Sequence, residues 1–384
     1  MRGSVVKKND HWYVVIEDKD PATGRRKRRW HSGYRTKREA QAACNELAVA
    51  MQRGEYLAPS KQTVGDFVEE WLDTIRATVR VSTLEKYSRD LRTHVVPHIG
   101  FVPMTKLDGP ALNRLWSTLA ETGKRPSRPG GDRTGLSHKS IENVAMTLHR
   151  LLKDAVRWGR IARNPADMAD PPKRTATHRE IRAWNVETLR TFLEVTRDDN
   201  LFALWLFLAT SGVRRGEALG LRWLDVDLDM ARARITQTVI SISWKVHFGQ
   251  PKTAAGRRPI ALDPMTVGVM RDHRKRMLEL RLLVGDGFVD QGLVFCHPDG
   301  SPLHPERVYQ AFQRALKKHD LPVISIHGLR HTWATIALEQ GVHPRVVQER
   351  LGHSNIAVTL QTYSHVLPTM HDEAAATVAS LLVR

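Results

Sequence analysis

The chain has 384 residues, enough for two or three domains at a prior of roughly 150 residues each, every one with its own core. It carries 59 Lys and Arg against 41 Asp and Glu, a net charge of +18, and 41% of its residues are hydrophobic. That balance excludes a disordered basic tail and leaves a folded protein that seeks a polyanion, of which nucleic acid is the commonest. Two cysteines, Cys44 and Cys296, exclude a disulfide scaffold and a Cys-rich zinc module and fit a reducing cytoplasm.

Residues 1–57 read as a small sheet followed by a helix. The alternation HWYVVIE at 11–17 suits a half-buried strand, ATG at 22–24 marks a turn, 27–31 supplies a second strand, and a shorter one at 4–7 precedes them. Thr36 and Glu39 form a T-x-x-E capping box that opens a helix toward Arg53. The basic run Arg25, Arg26, Lys27, Arg28 and Arg29 lies on the turn and the following strand. It reads either as a solvated loop or as a sheet edge fit for a DNA major groove, and the charge of the whole chain favours the second.

Residues 61–170 read as all-helical. Thr63 caps a segment with Val64, Phe67, Val68, Trp71, Leu72 and Ile75 at helical spacing; Ser82 opens another with Leu84, Tyr87, Leu91 and Val95 on one stripe; a third runs over 108–119. The stretch 122–135 (TGKRPSRPGGDRTG) holds too much Gly and Pro for a helix and reads as a basic loop. A long helix is expected over 137–158, stopped by Asn164-Pro165. The linker PPKRTATHREIRAW (171–184) breaks the periodicity, and a third segment starts near His178.

This third segment opens with helices at 186–196 and 200–211. The latter contains the longest apolar run, nine residues at 201–209 (LFALWLFLA), which is far short of the ~20 residues of a membrane span and reads as a buried helix. The N-terminus MRGSVVKKND has no apolar signal core. A β-rich patch is expected at 233–244 and 257–262, with the remainder mostly helical.

Four clusters lie in the third segment. In SGVRRGEALGLRW (211–223), Arg214 and Glu217 stand three apart on one helical face, the spacing of an ordinary surface ion pair. In QPKTAAGRRPIAL (250–262), Lys252 sits near the tip of an expected β-hairpin, where a lysine is usually a solubility device. In ISIHGLRHTWAT (324–335), His327 and Arg330 share a face at a helix start, and His331 follows. In RLGHSNIAVTLQTYSHV (350–366), His353 follows Gly352, a helix-ending residue, and Tyr363 comes ten positions later.

Each cluster alone has a bland reading. Together they are a site for a phosphodiester: arginine forks bind its non-bridging oxygens and stabilise the charge of the transition state, while a tyrosine, with a reference pKa of ~10, needs cationic neighbours or a base in order to attack at neutral pH. A phosphotyrosine ester conserves the energy of the phosphodiester, so resealing needs no nucleotide cofactor.

The set Arg214, Lys252, His327-x-x-Arg330, Leu351-Gly352-His353 and Tyr363 resembles the tyrosine recombinase (phage integrase) family in chain order and spacing, over residues 211–366. The preceding segments resemble the family's arm-type DNA-binding and helical core-binding domains, a three-part layout closer to integrases of phages and integrative elements than to two-domain enzymes that resolve chromosome dimers. The implied fold class is multidomain α+β: a three-stranded sheet plus helix at 1–57, an all-helical core-binding (SAM-like) domain at 61–170, and a mostly helical catalytic domain with a small antiparallel sheet at 178–384.

The resemblance implies Tyr363 as nucleophile, Arg214 with Arg330 as phosphate clamp, Lys252 as general acid for the leaving 5′-hydroxyl and His327 in acid–base support of Tyr363. His353 would hydrogen-bond the phosphate and Glu217 orient the cationic site, while Arg215 and His331 are given no chemistry. It further implies no metal and no cofactor, and a homotetramer on double-stranded core and arm attachment sites that passes through a Holliday junction. An excision factor and a DNA-bending host protein are further candidate partners, and no membrane is involved. A short amphipathic helix at 371–384 would dock on a neighbouring protomer. A non-catalytic DNA-binding regulator and a type IB topoisomerase are the competing readings; the complete catalytic set opposes the first and the separate basic sheet the second.

Overall fold

The computed structural model describes residues 3–19, 26–52, 60–124, 134–172, 182–251, 253–363 and 379. The chain divides into two compact units, residues 1–177 and 178–384. All of the expected helix at 371–384 but residue 379, most of the basic loop at 122–135 and most of the linker at 171–184 lie outside the described residues.

The first unit begins with three antiparallel strands in the order β1 (Gly3–Lys8), β2 (His11–Lys19), β3 (Arg26–Tyr34). Alternation puts Val14 and Ile16 of β2 on the inner face, where they pack with Ala40 and Cys44 of helix α1 (Lys37–Gln52). The third strand is longer than its apolar pattern suggests, because its register against β2 slips at a bulge between Trp12 and Val14 and pairing resumes as far as Tyr34. The Thr36/Glu39 box forms: the Thr36 hydroxyl accepts from the Glu39 N–H at 3.2 Å, and the Glu39 carboxylate accepts from the Thr36 N–H at 3.3 Å.

Helices α2 (Val64–Ile75), α3 (Val81–His94), α4 (Val96–Ile99), α5 (Gly109–Thr122) and α6 (His138–Arg157) then bury one apolar core around Phe67, Trp71, Leu112, Trp116 and Leu148. Thr63 and Asp66 exchange side-chain-to-backbone bonds at the start of α2, and Asp108 and Ser137 cap α5 and α6. Helix α3 starts before Ser82, its first turn closed by the Arg80 carbonyl, which accepts from the Thr83 and Leu84 N–H groups. Helix α6 keeps the expected span, but its stop is not Asn164-Pro165: Gly159 takes a left-handed φ of +68° and the Arg160 N–H donates back to Ala155 O at 2.8 Å. Asn164 instead caps a short 3-10 turn, Pro165–Met168.

The second unit packs α7 (Val186–Val195), α8 (Phe202–Ser211), α9 (Arg215–Leu219), α10 (Pro264–Val284), α11 (Pro305–Lys318), α12 (Ile326–Glu339), α13 (Pro344–Leu351) and α14 (Ile356–Thr362) around five short strands. The apolar run lies in α8, buried from Ala203 to Ala209, with Trp205 against Phe192 and Phe312. Among the described residues no helix is long and apolar enough to cross a membrane.

The strands correct the hairpin expected at 250–262. β6 (Thr238–Ile242) pairs with β7 (Lys245–Gly249), whereas β8 (Arg258–Ala261) pairs with β5 (Arg232–Ile235), beyond which lies β4 (Val226–Asp227). The reversal occurs at Ser243 and Trp244, both with positive φ (47° and 63°). That conformation suits a two-residue hairpin loop but favours Asn-Gly, so Ser-Trp carried no turn signal in the sequence.

Candidate active site

Helix α8 ends at Gly212 in a left-handed turn (φ +66°), which aims the chain into α9 with Arg214 at the N-cap and Glu217 three residues on. Glu217 is buried and is no surface partner. Its carboxylate accepts from the Arg214 N–H (2.9 Å), from Arg214 Nη1 (2.7 Å) and from Arg258 Nη2 (3.0 Å). Burial alone would raise its pKa; the charge and hydrogen bonds of Arg258, then those of Arg214, outweigh it and hold the carboxyl below the ordinary range. Arg258 reaches inward from β8 on the same face as Ile260, and also donates to the carbonyls of Arg350 and Gly256.

Arg330 enters from α12 and is 2% exposed. Its Nη1 donates to Gly212 O at 2.9 Å and its Nη2 to Leu351 O at 2.8 Å, while Arg214 Nη2 donates to Gly352 O at 3.4 Å. The turn after α13 thus holds both guanidiniums. Gly352 makes this possible: its φ is +67°, and a Cβ there would lie 2.7 Å from Arg258 Nη1 and 2.8 Å from Ala255 O. Burial first, and the Arg214 charge second, hold the Arg330 pKa below its ordinary value. A guanidinium so crowded is short of a counter-anion, the property a phosphate site needs.

Tyr363 follows α14 with 1% of its surface exposed, and its hydroxyl lies 2.9 Å from His331 Nδ1. The His327 and His331 rings stand perpendicular to each other with centroids 4.8 Å apart. His353 Nδ1 lies 2.8 Å from Thr359 Oγ1. Burial, partly opposed by the Arg330 charge, pushes the Tyr363 phenol up to about 12. Burial and neighbouring cations push His327 and His353 each down to about 4; His327 still keeps solvent-reachable surface, which lets a ligand approach it.

These two imidazoles are therefore neutral at pH 7. In the unfolded chain they take up protons near the ordinary value of 6.5, so between 6.5 and about 4 the unfolded state binds more protons. Their stabilising contribution is complete above pH 6.5 and is lost as pH falls toward 4. Thermal unfolding of the full chain should move to lower temperature through this window, and His353→Gln should flatten part of that slope. An identical pH slope in wild type and variant would contradict a half-buried, neutral His353.

Of the residues singled out in the sequence, Arg214, Glu217, His327, Arg330, His353 and Tyr363 belong to one region of the second unit, linked by the contacts above. Lys252 and Arg25 lie outside the described residues. Arg26, Lys27, Arg28 and Arg29 all fall on β3; of their side chains only Arg28 is described, paired with Glu17 at 2.5 Å. Arg258 was not among the residues singled out in the sequence, and His331 was named there without a chemical role. The signal for Arg258 was an arginine at an inward position of a strand, in step with Ile260, where a charge demands a partner. The signal for His331 was its i, i+4 spacing from His327. Arg215 donates to Pro305 O at 3.0 Å.

The profile of the phage integrase family matches residues 179–370, half of the chain. The chain belongs to the phage integrase family. It is a tyrosine-type site-specific recombinase. An arm DNA-binding domain profile matches residues 4–51, and an N-terminal SAM-like domain profile of phage integrases matches residues 63–118. The recombinase is 26% identical to a XerC-like tyrosine recombinase of Caldanaerobacter subterraneus over 369 residues, covering 91% of each chain. It is 26% identical to an integrase of Streptomyces ambofaciens, over 93% of this chain and 89% of the other. In fold it matches the Tn1549 transposon integrase in complex with transposon right end DNA, at a TM-score of 0.66 and 21% identity, over 84% of this chain and 100% of that one. A lambda integrase tetramer bound to a Holliday junction matches at a TM-score of 0.55 and 15% identity, over 91% and 95% of the two chains.

Proposed function

We propose that this recombinase integrates and excises a mobile element by cutting duplex DNA at attachment sites through a 3′-phosphotyrosine intermediate on Tyr363. The observation that carries the reading is the convergence on one turn: the carbonyls of Leu351 and Gly352 accept from Arg330 and Arg214, the latter held by Glu217. Two guanidinium forks set by fixed acceptors can clamp a phosphodiester and stabilise the added negative charge of its transition state. Lys252 protonates the leaving 5′-hydroxyl, His327 gives acid–base support to Tyr363, and His353 hydrogen-bonds the phosphate. The ester retains the energy of the broken bond, so the 5′-hydroxyl of the partner strand reseals it without a cofactor or metal. A suicide duplex carrying the attachment site should therefore trap a covalent adduct in EDTA; loss of the adduct in EDTA would overturn the metal-free chemistry.

Residues 61–170 clamp the core duplex, residues 178–384 carry out the cleavage, and four protomers join two sites through a Holliday junction. Residues 1–57 bind arm sites through β3 and its basic run. An excision factor and a DNA-bending host protein are the accessory partners such an assembly would recruit. Removing residues 1–57 is expected to spare cleavage of core-site DNA and to impair integrative recombination, measured on supercoiled plasmids. Equal recombination by the truncated chain would remove the arm-binding role.

A further inference from the structure

We propose that His331 is the group that takes the proton from Tyr363 as it attacks, with His327 one step farther from the nucleophile. This rests on the reading of Tyr363 as nucleophile and deepens it.

Helix α12 carries His327 and His331 one turn apart on a single face, and the inner of the two meets the tyrosine: His331 Nδ1 is 2.9 Å from the phenol oxygen. His327 packs at right angles to that imidazole, with centroids 4.8 Å apart, and the hydrogen bond to the phenol is made by His331. His353, the other imidazole of the site, has its Nδ1 engaged by Thr359. A general base must stand within hydrogen-bond reach of the proton it abstracts, and His331 meets that condition in the resting protein.

Its protonation state also fits. With the phenol as donor in this contact, the imidazole carries its hydrogen on Nε2 and is neutral, the form that can take a proton. Burial, and then the Arg330 charge, hold its pKa below the ordinary histidine value. A phenol pushed up to about 12 is almost wholly un-ionised at pH 7 and cannot attack without such an acceptor.

The Tyr363 proton moves to His331 Nδ1 while the phenol oxygen bonds to phosphorus; the bond from phosphorus to the 5′ oxygen breaks, and that oxygen takes a proton from Lys252. On resealing the 5′-hydroxyl attacks, its proton returns to Lys252, and the departing phenol oxygen recovers its proton from His331. An imidazolium beside Arg330 is unfavourable until a phosphate lies between the arginines. The bound phosphodiester therefore both receives the nucleophile and makes proton transfer to His331 favourable, which keeps Tyr363 protonated in protein that is not engaged with DNA.

The test is single-turnover adduct formation by the full chain on a suicide duplex spanning the attachment site. His331→Ala should slow it by about 10²- to 10⁴-fold while gel-shift affinity for the same duplex is retained. Imidazole in the buffer should restore part of the rate. A fluorinated tyrosine of lower phenol pKa at position 363 should also partly restore it, since less basicity is then needed. A His331→Ala rate within about threefold of wild type overturns the proposal, and so does a slow variant that neither imidazole nor the fluorinated phenol improves, because that is the behaviour of a packing residue. If wild type forms no adduct, or if Tyr363→Phe still forms one, it is the nucleophile assignment that fails.

Discussion

Tyr363→Phe is expected to abolish the covalent protein–DNA adduct, with a rate loss of at least about 10⁴-fold, because removal of a nucleophile leaves only the contributions of binding and charge stabilisation. The substitution deletes one oxygen. The ring keeps its place among Ala334, Leu338, Val347 and Leu351, so the fold should be retained. The lost bond to His331 costs on the order of 1 kcal/mol, too little to unfold a domain of this size. DNA binding measured by gel shift should stay close to wild type, which separates loss of chemistry from loss of recognition. An adduct that persists in the variant means that another residue attacks.

Arg330→Ala is expected to lower the cleavage rate by about 10²- to 10³-fold or more, the usual effect of deleting a preorganised donor at a developing negative charge. It should also destabilise the second unit. The Arg330 guanidinium serves Gly212 O and Leu351 O, and its removal leaves those two carbonyls without that donor in a buried setting, at roughly 1–3 kcal/mol for each group left unsatisfied. Arg330→Lys separates the two effects: it keeps the charge but lacks the planar fork that reaches two carbonyls and a phosphate together. We expect Lys to recover part of the melting temperature and little of the rate, read by thermal unfolding and by suicide-substrate cleavage. Cleavage by Arg330→Ala within about threefold of wild type would remove Arg330 from the clamp.

The two effects share an origin. The ends of α8 and α13 supply helix-terminal carbonyls, and the arginines satisfy them. Arg258 ties the arrangement to the sheet by bonding Glu217 from one side and the Arg350 carbonyl from the other. Glu217 thereby faces two guanidiniums, and a neutral residue there would leave both without their carboxylate.

The amino-acid sequence by itself determined those features whose signal lies within a few residues along the chain. The Thr36/Glu39 box, the helix starts at Asp108 and Ser137 and the buried run of α8 are decided by neighbours three or four positions apart, and all were legible. The order and spacing of the cationic clusters, ending in a tyrosine, were equally local. Tertiary structure alone decided which strand β8 joins, that Arg258 meets Glu217 across 41 residues, and that His331 rather than His327 touches Tyr363 across 32. Strand partners and inward-facing charges depend on register, and a slip of one residue sends every side chain to the opposite face. A hydrogen bond between two helices depends on how both are packed, which no window along the chain contains.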